Sequence, residues 1–307
     1  MEKQNLQSDL ILLVAATIWG FAFVAQRVGM DYVGPFLFNG VRFALGSLSL
    51  LPLLHWRGKE IEAKQERSGI ALAGGGVAGV VLFIGASLQQ VGLVYTTAGK
   101  AGFITGLYVV IVPVLGFFLR QRIRLGSWVG AVLAAVGLYF LSVTERFSIS
   151  FGDLLELGGA FFWAFHVLMI GWLSPRVSAI RFSIFQFMVC SCLSLATACL
   201  AEDIILDRLL RASIPILYGG FFSVGIAYTL QVVAQKKAPP SHAAIILSLE
   251  TVFAALGGWV FLGETLSPRG LVGCALMFFG MILSQVPSYS FLSAGRVRRR
   301  QPPVSSE

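Results

Sequence analysis

A chain of 307 residues that is 56% hydrophobic and only 12% charged, with a mean hydropathy of +0.81, does not fold as a soluble domain of that size. Its formal charge of +8 is dispersed in short segments between long apolar runs, which excludes a nucleic-acid partner and makes the lipid bilayer the surrounding medium. Cys190, Cys192, Cys199 and Cys274 fall inside apolar runs without metal-ligand spacing, so they read as packing residues.

Before the first apolar run the only basic residue is Lys3. That run exceeds 20 residues and lacks a small-residue cleavage pattern, so it reads as a retained span, not a signal peptide. Apolar length predicts ten spans, at residues 9–30, 34–55, 69–94, 98–119, 125–144, 151–173, 180–201, 212–235, 241–262 and 268–287. With the N-terminus inside, the inner segments hold 16 Lys or Arg and the outer ones six, and Arg42, within the second span, completes the 23. That bias places both termini in the cytoplasm of a multi-pass protein of the cytoplasmic membrane. The cluster Arg296 to Arg300 reads as an anchor near anionic lipid, and the tail of residues 291–307 as disordered.

The chain repeats itself. At an offset of 144, Asp9, Ala16, Trp19 and Phe21 match Asp153, Ala160, Trp163 and Phe165. At 142, Gln89, Ala101, Leu107 and Gly116 match Gln231, Ala243, Leu249 and Gly258, and after one inserted residue Gly130 and Gly137 match Gly273 and Gly280. Residues 1–146 and 147–290 are thus predicted to be two five-helix repeats. Five is odd, so the second copy enters the membrane from the other side. The predicted fold class is an all-α membrane protein with ten transmembrane helices as two inverted repeats, an architecture that lets similar halves rock between inward-open and outward-open states. Small-xxx-small pairs at Gly75/Gly79, Gly102/Gly106 and Gly126/Gly130 favour close helix approach.

Polar and aromatic residues at membrane depth are what a cavity requires. Trp19, Phe23 and Gln26 share a face of the first span, Glu156, Trp163 and His166 of the sixth, and Tyr228, Gln231 and Gln235 of the eighth. Gln89 and Gln90 lie in the third span and Tyr108 in the fourth. Glu250, at the positional counterpart of Tyr108, sits roughly 13 Å into the ninth span, near the midplane of a ~30 Å hydrocarbon core. An acid there marks a substrate or proton path, or else stays neutral and only bonds a neighbouring helix. Each other residue also has two readings. Trp19 and Trp163 pack or line a cavity; His166 packs or relays protons; Gln89 and Gln231 are interhelical glue or cavity lining. Asp9 and Asp153, at the starts of their spans, read as caps. Arg42 and Glu156 lie at similar depth and either pair, or Arg42 receives an anionic substrate group.

The stretches SLETVFAALGGWVFLGETLSPRGLVGCALMFFGMIL from Ser248, YTTAGKAGFITGLYVVIVPVLGFFL from Tyr95, and AATIWGFAFVAQRVGMDYVGPFLFNGVRF from Ala15 resemble the EamA-type drug/metabolite transporters, over nearly the whole chain to about Val286. The resemblance implies a 5+5 inverted-repeat transporter whose central cavity is lined mainly by the first, third, fourth, sixth, eighth and ninth helices. It implies export of amino acids, other metabolites or toxic compounds, relatives moving sugar phosphates and nucleotide sugars. One position departs: the proline usual after the Glu of SLE is Thr251, so that helix is expected to be less bent at its centre.

No phosphate-binding loop of the ATPase type and no interfacial cluster of His or acids is present, so no catalytic residue, metal or cofactor is predicted. A membrane enzyme or a non-transporting sensor is the remaining alternative. The expected partners are a small-molecule substrate and the bilayer; nothing indicates a homodimer. An amino acid-like or drug-like cargo ranks before a phosphorylated one, because only Arg42 sits clearly at depth while a phosphate needs clustered cations. Coupling through a proton on Glu250 or His166, exchange, and facilitation are all open.

Overall fold

The computed structural model describes residues 2–62, 68–121, 123–142, 150–263, 265 and 267–285. The predicted tail, the Arg296 to Arg300 anchor and the topological markers Lys64, Arg67, Arg122 and Arg146 lie outside the described residues. Within them the secondary structure is entirely helical, with no strand.

The helices are α1 (Glu2–Gly29), α2 (Pro35–Glu62), α3 (Ser68–Tyr95), α4 (Ala98–Gly106), α5 (Tyr108–Phe118) and α6 (Leu125–Ser142) in the first half. The second half has α7 (Phe151–Leu173), α8 (Ala179–Ala201), α9 (Leu206–Arg211), α10 (Ser213–Leu217), a π-helical stretch (Tyr218–Tyr228), α11 (Thr229–Ala234), α12 (Pro240–Leu247), α13 (Glu250–Leu262) and α14 (Pro268–Gln285). Eight of the resulting rods are long and apolar enough to cross a bilayer; Leu125–Phe140 and Pro268–Ser284 are shorter apolar helices. Apolar side chains such as Leu10, Phe117, Phe161 and Trp259 project outward over half exposed. On a protein whose buried interior also holds Arg42 and Glu156, such a surface suits lipid.

Packing repeats under exchange of the halves. α1 packs on α13 as α7 packs on α4 and α5; α3 meets α7 and α8 as the π-helical stretch meets α1 and α2. α6 and α14 pack on each other, and there the exchange is visible atom by atom. A Cβ on Gly130 would lie 2.7 Å from the Gly280 carbonyl oxygen, one on Gly280 2.7 Å from that of Gly130, and one on Gly137 2.6 Å from that of Gly273. The small-xxx-small pairs at Gly75/Gly79 and Gly102/Gly106 also serve close contacts, the first against α8 and the second against α13.

Two rods are interrupted at equivalent places. Between α4 and α5, Leu107 has φ −60°, ψ −16°; between α12 and α13, Leu249 has φ −63°, ψ −13°. These are 3₁₀ values, and the Leu107 and Leu249 amides bond three residues back, to Ile104 and Ile246. Thr251 does not spare its helix the interruption, contrary to the expectation from the missing proline. Its Oγ1 donates to the Gly102 carbonyl at 2.9 Å, tying the start of α13 to α4.

Asp9 and Asp153 are not N-caps. α1 begins at Glu2, which puts Asp9 two turns inside, where Oδ1 meets His242 Nε2 at 2.7 Å. Ser150 caps α7, and Asp153, at its third position, closes a capping box while pairing with Lys100.

Candidate functional site: a central polar cavity

Both interruptions open on one cavity. The space available to the centres of water molecules there is about 40 Å³. At ~10–15 Å³ per water this takes about three, far less than a metabolite needs.

The lining is built from duplicated positions. Trp19 and Trp163, Gln89 and Gln231, and Tyr108 and Glu250 all face the cavity, as do Phe23 with its counterpart Val167 and Thr105 with its counterpart Leu247. Arg42, His166, Tyr228, Gln26 and Ser223 complete it. Among the residues singled out by sequence, Glu156, Gln90 and Gln235 stand behind the wall: Gln90 Nε2 donates to the Gln26 carbonyl at 3.3 Å and Gln235 Nε2 to that of Val167 at 3.0 Å, and Glu156 is held by Thr105. Thr105 Oγ1 donates to Glu156 Oε2 at 3.1 Å, while Oε1 is buried without a hydrogen-bond partner among the described residues.

A chain of amides organises one wall. The Trp163 indole donates to Gln89 Oε1 at 2.9 Å, Gln89 Nε2 donates to Gln26 Oε1 at 3.1 Å, and Gln26 Nε2 donates to the Ala22 carbonyl at 3.1 Å. Exact two-fold symmetry would have Trp19 donate to Gln231. Instead the Trp19 indole donates at 3.1 Å to the carbonyl of Ser223, in the π-helical stretch, and Gln231 Oε1 is left buried and without a partner among the described residues. A polar atom orphaned beside a cavity is a place for a water or a ligand group.

The opposite wall is aromatic. Tyr228 is its hub, 4.6 Å from Trp19, 6.2 Å from Trp163 with planes within 30°, and 5.9 Å from Phe187 between ring centroids. His166 meets Trp163 and Tyr228 edge-on and its Nε2 lies 3.0 Å from Gln186 Oε1.

Charge enters at two points. Arg42 is 2% exposed, with Nε donating to Asn39 Oδ1 at 2.9 Å and the guanidinium 5.0 Å from the Phe43 ring centroid. No carboxylate among the described residues pairs with it, so the pairing of Arg42 with Glu156 that depth allowed is not made. Glu250, 5% exposed, opens α13 and lines the cavity together with Tyr108. Because the backbone at both interruptions stays hydrogen-bonded, side chains and not helix termini face the cavity.

Thr105, Val167, Leu247 and Ser223 are lining residues that helical periodicity did not single out. Val167 could have been found by carrying the duplication through, since it lies 144 after Phe23, whereas Thr105 and Leu247 are counterparts of each other and no residue already singled out leads to them. Ser223 could not have been found either: it shares a face with Tyr228, five residues on, only where the helix is of π type.

A helical bundle of this kind, with a polar and aromatic cavity at the interruption of two apolar rods, is the architecture of a membrane transport protein. The sequence profile of the EamA-like transporter family matches residues 6–143 and again 150–285, and the chain belongs to that family as an integral membrane protein. It is 35% identical over 289 residues to an uncharacterized transporter of Archaeoglobus fulgidus, covering 91% of this chain and 86% of that one. It is 28% identical to the uncharacterized transporter YwfM of Bacillus subtilis (92% and 94% covered) and 25% identical to the chloroplastic WAT1-related protein At3g02690 of Arabidopsis thaliana (90% and 69% covered). A solved crystal structure shares the fold, with a TM-score of 0.73 at 19% identity over 91% of this chain and 96% of that one.

Proposed function

We propose that the protein is a secondary transporter of the cytoplasmic membrane, with ten spans in two inverted five-helix repeats and both termini inside. It exports small amino acid-like or drug-like metabolites by alternating access, without a catalytic step. The observation that carries this reading is the convergence of five pairs of duplicated positions on one cavity. Two halves built alike around a shared site can exchange roles at small energetic cost, which alternating access demands.

The lining supports the substrate class. Glu250 offers an acceptor to an ammonium, Arg42 a donor to a carboxylate, and the ring cluster about Tyr228 an apolar, cation-tolerant surface. A phosphate ester would gather more than the single guanidinium present at depth. The cavity, with about 40 Å³ open to the centres of water molecules, must widen several-fold to admit any such molecule. Proteoliposomes loaded in turn with amino acids, aromatic amines and phosphorylated metabolites provide the test. Counterflow of the first two classes supports the reading; selective phosphate-ester exchange, or product formation without flux, overturns it. Flux that persists without a proton gradient and without pH dependence would assign facilitation or exchange in place of a proton carried by Glu250 or His166.

A further inference from the structure

We propose that two polar contacts, the salt bridge of Lys100 with Asp153 and the hydrogen-bonded contact of Asp9 with His242, are reciprocal gates that close the two ends of the cavity in turn. The inference rests on the transporter reading and adds to it the residues that set which end is shut.

The two pairs are one contact made twice. Asp9 and Asp153 are duplicated positions at an offset of 144, and Lys100 and His242 at 142. Lys100 Nζ lies 2.6 Å from Asp153 Oδ2, and His242 Nε2 lies 2.7 Å from Asp9 Oδ1. Each contact ties the first helix of one half, α7 or α1, to the first turn of the interrupted helix of the other half, α4 or α12. The carboxylates are largely enclosed, 6% exposed at Asp153 and 11% at Asp9. Both pairs are braced: Asp153 also accepts from the Ser150 amide at 2.7 Å and Thr96 Oγ1 at 3.2 Å, and His242 Nδ1 lies 3.1 Å from Ser284 Oγ.

They sit at opposite ends of the site. α4 runs antiparallel to α13, because Gly102 packs against Ala254 and Gly106, further along α4, against Thr251, earlier in α13. The first turn of α4 is therefore far from the first turn of α12, with Tyr108 and Glu250 between them.

This placement has an energetic consequence. A state open at one end gives up one pair and keeps the other, so the two open states cost nearly the same. A state open at both ends gives up two and is disfavoured, which suppresses leak. With both pairs formed, the cavity admits only a few waters.

Sided labelling tests the assignment. The protein, with its four native cysteines replaced and Ser223→Cys placed in the cavity wall, is reconstituted in one orientation and exposed to a membrane-impermeant thiol reagent from either face. With the termini inside, Lys100→Met should raise the outside-to-inside labelling ratio about five-fold, the population change that ~1 kcal/mol of ion pairing produces. Asp9→Asn should lower it by a similar factor. Lys100→Arg should retain the parent ratio, and exchanging the inner partners, Asp9→His with His242→Asp, should return it. Ratios that stay put, or move the same way in both single variants, overturn the gates, as does an exchanged pair that behaves like Asp9→Asn. A cysteine that reacts from neither face in any variant overturns the transport cavity itself, and the gates with it. Because the readout needs no substrate, the two failures are distinct.

Discussion

Glu250→Gln separates the functional from the packing role of the acid that opens α13. Glu250 is 5% exposed and borders, with Tyr108, a cavity of about 40 Å³. Gln has the same shape and keeps an acceptor oxygen, so the fold should change by less than ~1 kcal/mol, a shift of a few degrees at most. Binding of a cationic group is another matter. A hydrogen bond to a charged partner contributes about 1.5–3 kcal/mol, and its loss corresponds to roughly ten- to 150-fold in apparent affinity. Thermal stability and counterflow measured on one preparation decide the question. Near-wild-type transport by a well-folded Glu250→Gln protein would refute the assignment of Glu250 to substrate, because a neutral hydrogen-bonded acid is well imitated by Gln.

Arg42→Met should abolish transport of carboxylate-bearing substrates while an aromatic amine of similar size still passes, measured by competitive efflux; equal loss of both would remove Arg42 from recognition. Gly130→Val places a Cβ 2.7 Å from the Gly280 carbonyl oxygen and should cost about 1–3 kcal/mol, lowering the thermal midpoint while the rank order of substrates is unchanged. Glu202 accepts the Phe36 and Leu37 amides at 2.8 Å each, capping α2 from a distant helix end, so Glu202→Ala should cost roughly 1–2 kcal/mol and speed hydrogen exchange at those two amides.

Much of the cavity was legible because transport chemistry sets polar residues where apolar ones are expected. Trp19, Gln89, Trp163, Gln231 and Glu250 each interrupt a long apolar run, and the duplication marks most of them twice. What sequence could not supply was partnership. Asp9 at the head of an apolar run has the pattern of a cap, and only tertiary structure brings His242, 233 residues away, to it. Arg42 and Glu156 share a depth, but depth is one coordinate of three. Around the bundle axis Arg42 stacks on Phe43 and Glu156 turns to Thr105, out of each other's reach.

The interruption between α12 and α13 shows the same limit of sequence reading. A missing proline predicts a straighter helix, since the ring is what removes a backbone hydrogen bond. Yet Leu249 takes nearly the same dihedral angles as Leu107, whose helix also has no proline at the equivalent position; Pro113 lies six residues beyond its pinch. What both pinches share is surroundings. Gly20 of α1 lies so close to the second that a Cβ there would come within 2.6 Å of the Glu250 carbonyl oxygen, and Thr251 is tied across to Gly102. Neighbouring helices therefore draw the rod tight at its middle, at the cost of a few stretched α-helical bonds replaced by 3₁₀ ones. A helix shaped from outside in this way can relax when its neighbours move, whereas a proline kink is fixed by the covalent chain. The position of Glu250 is then coupled to the separation of α1 from α13, the contact that must change when the two halves rock.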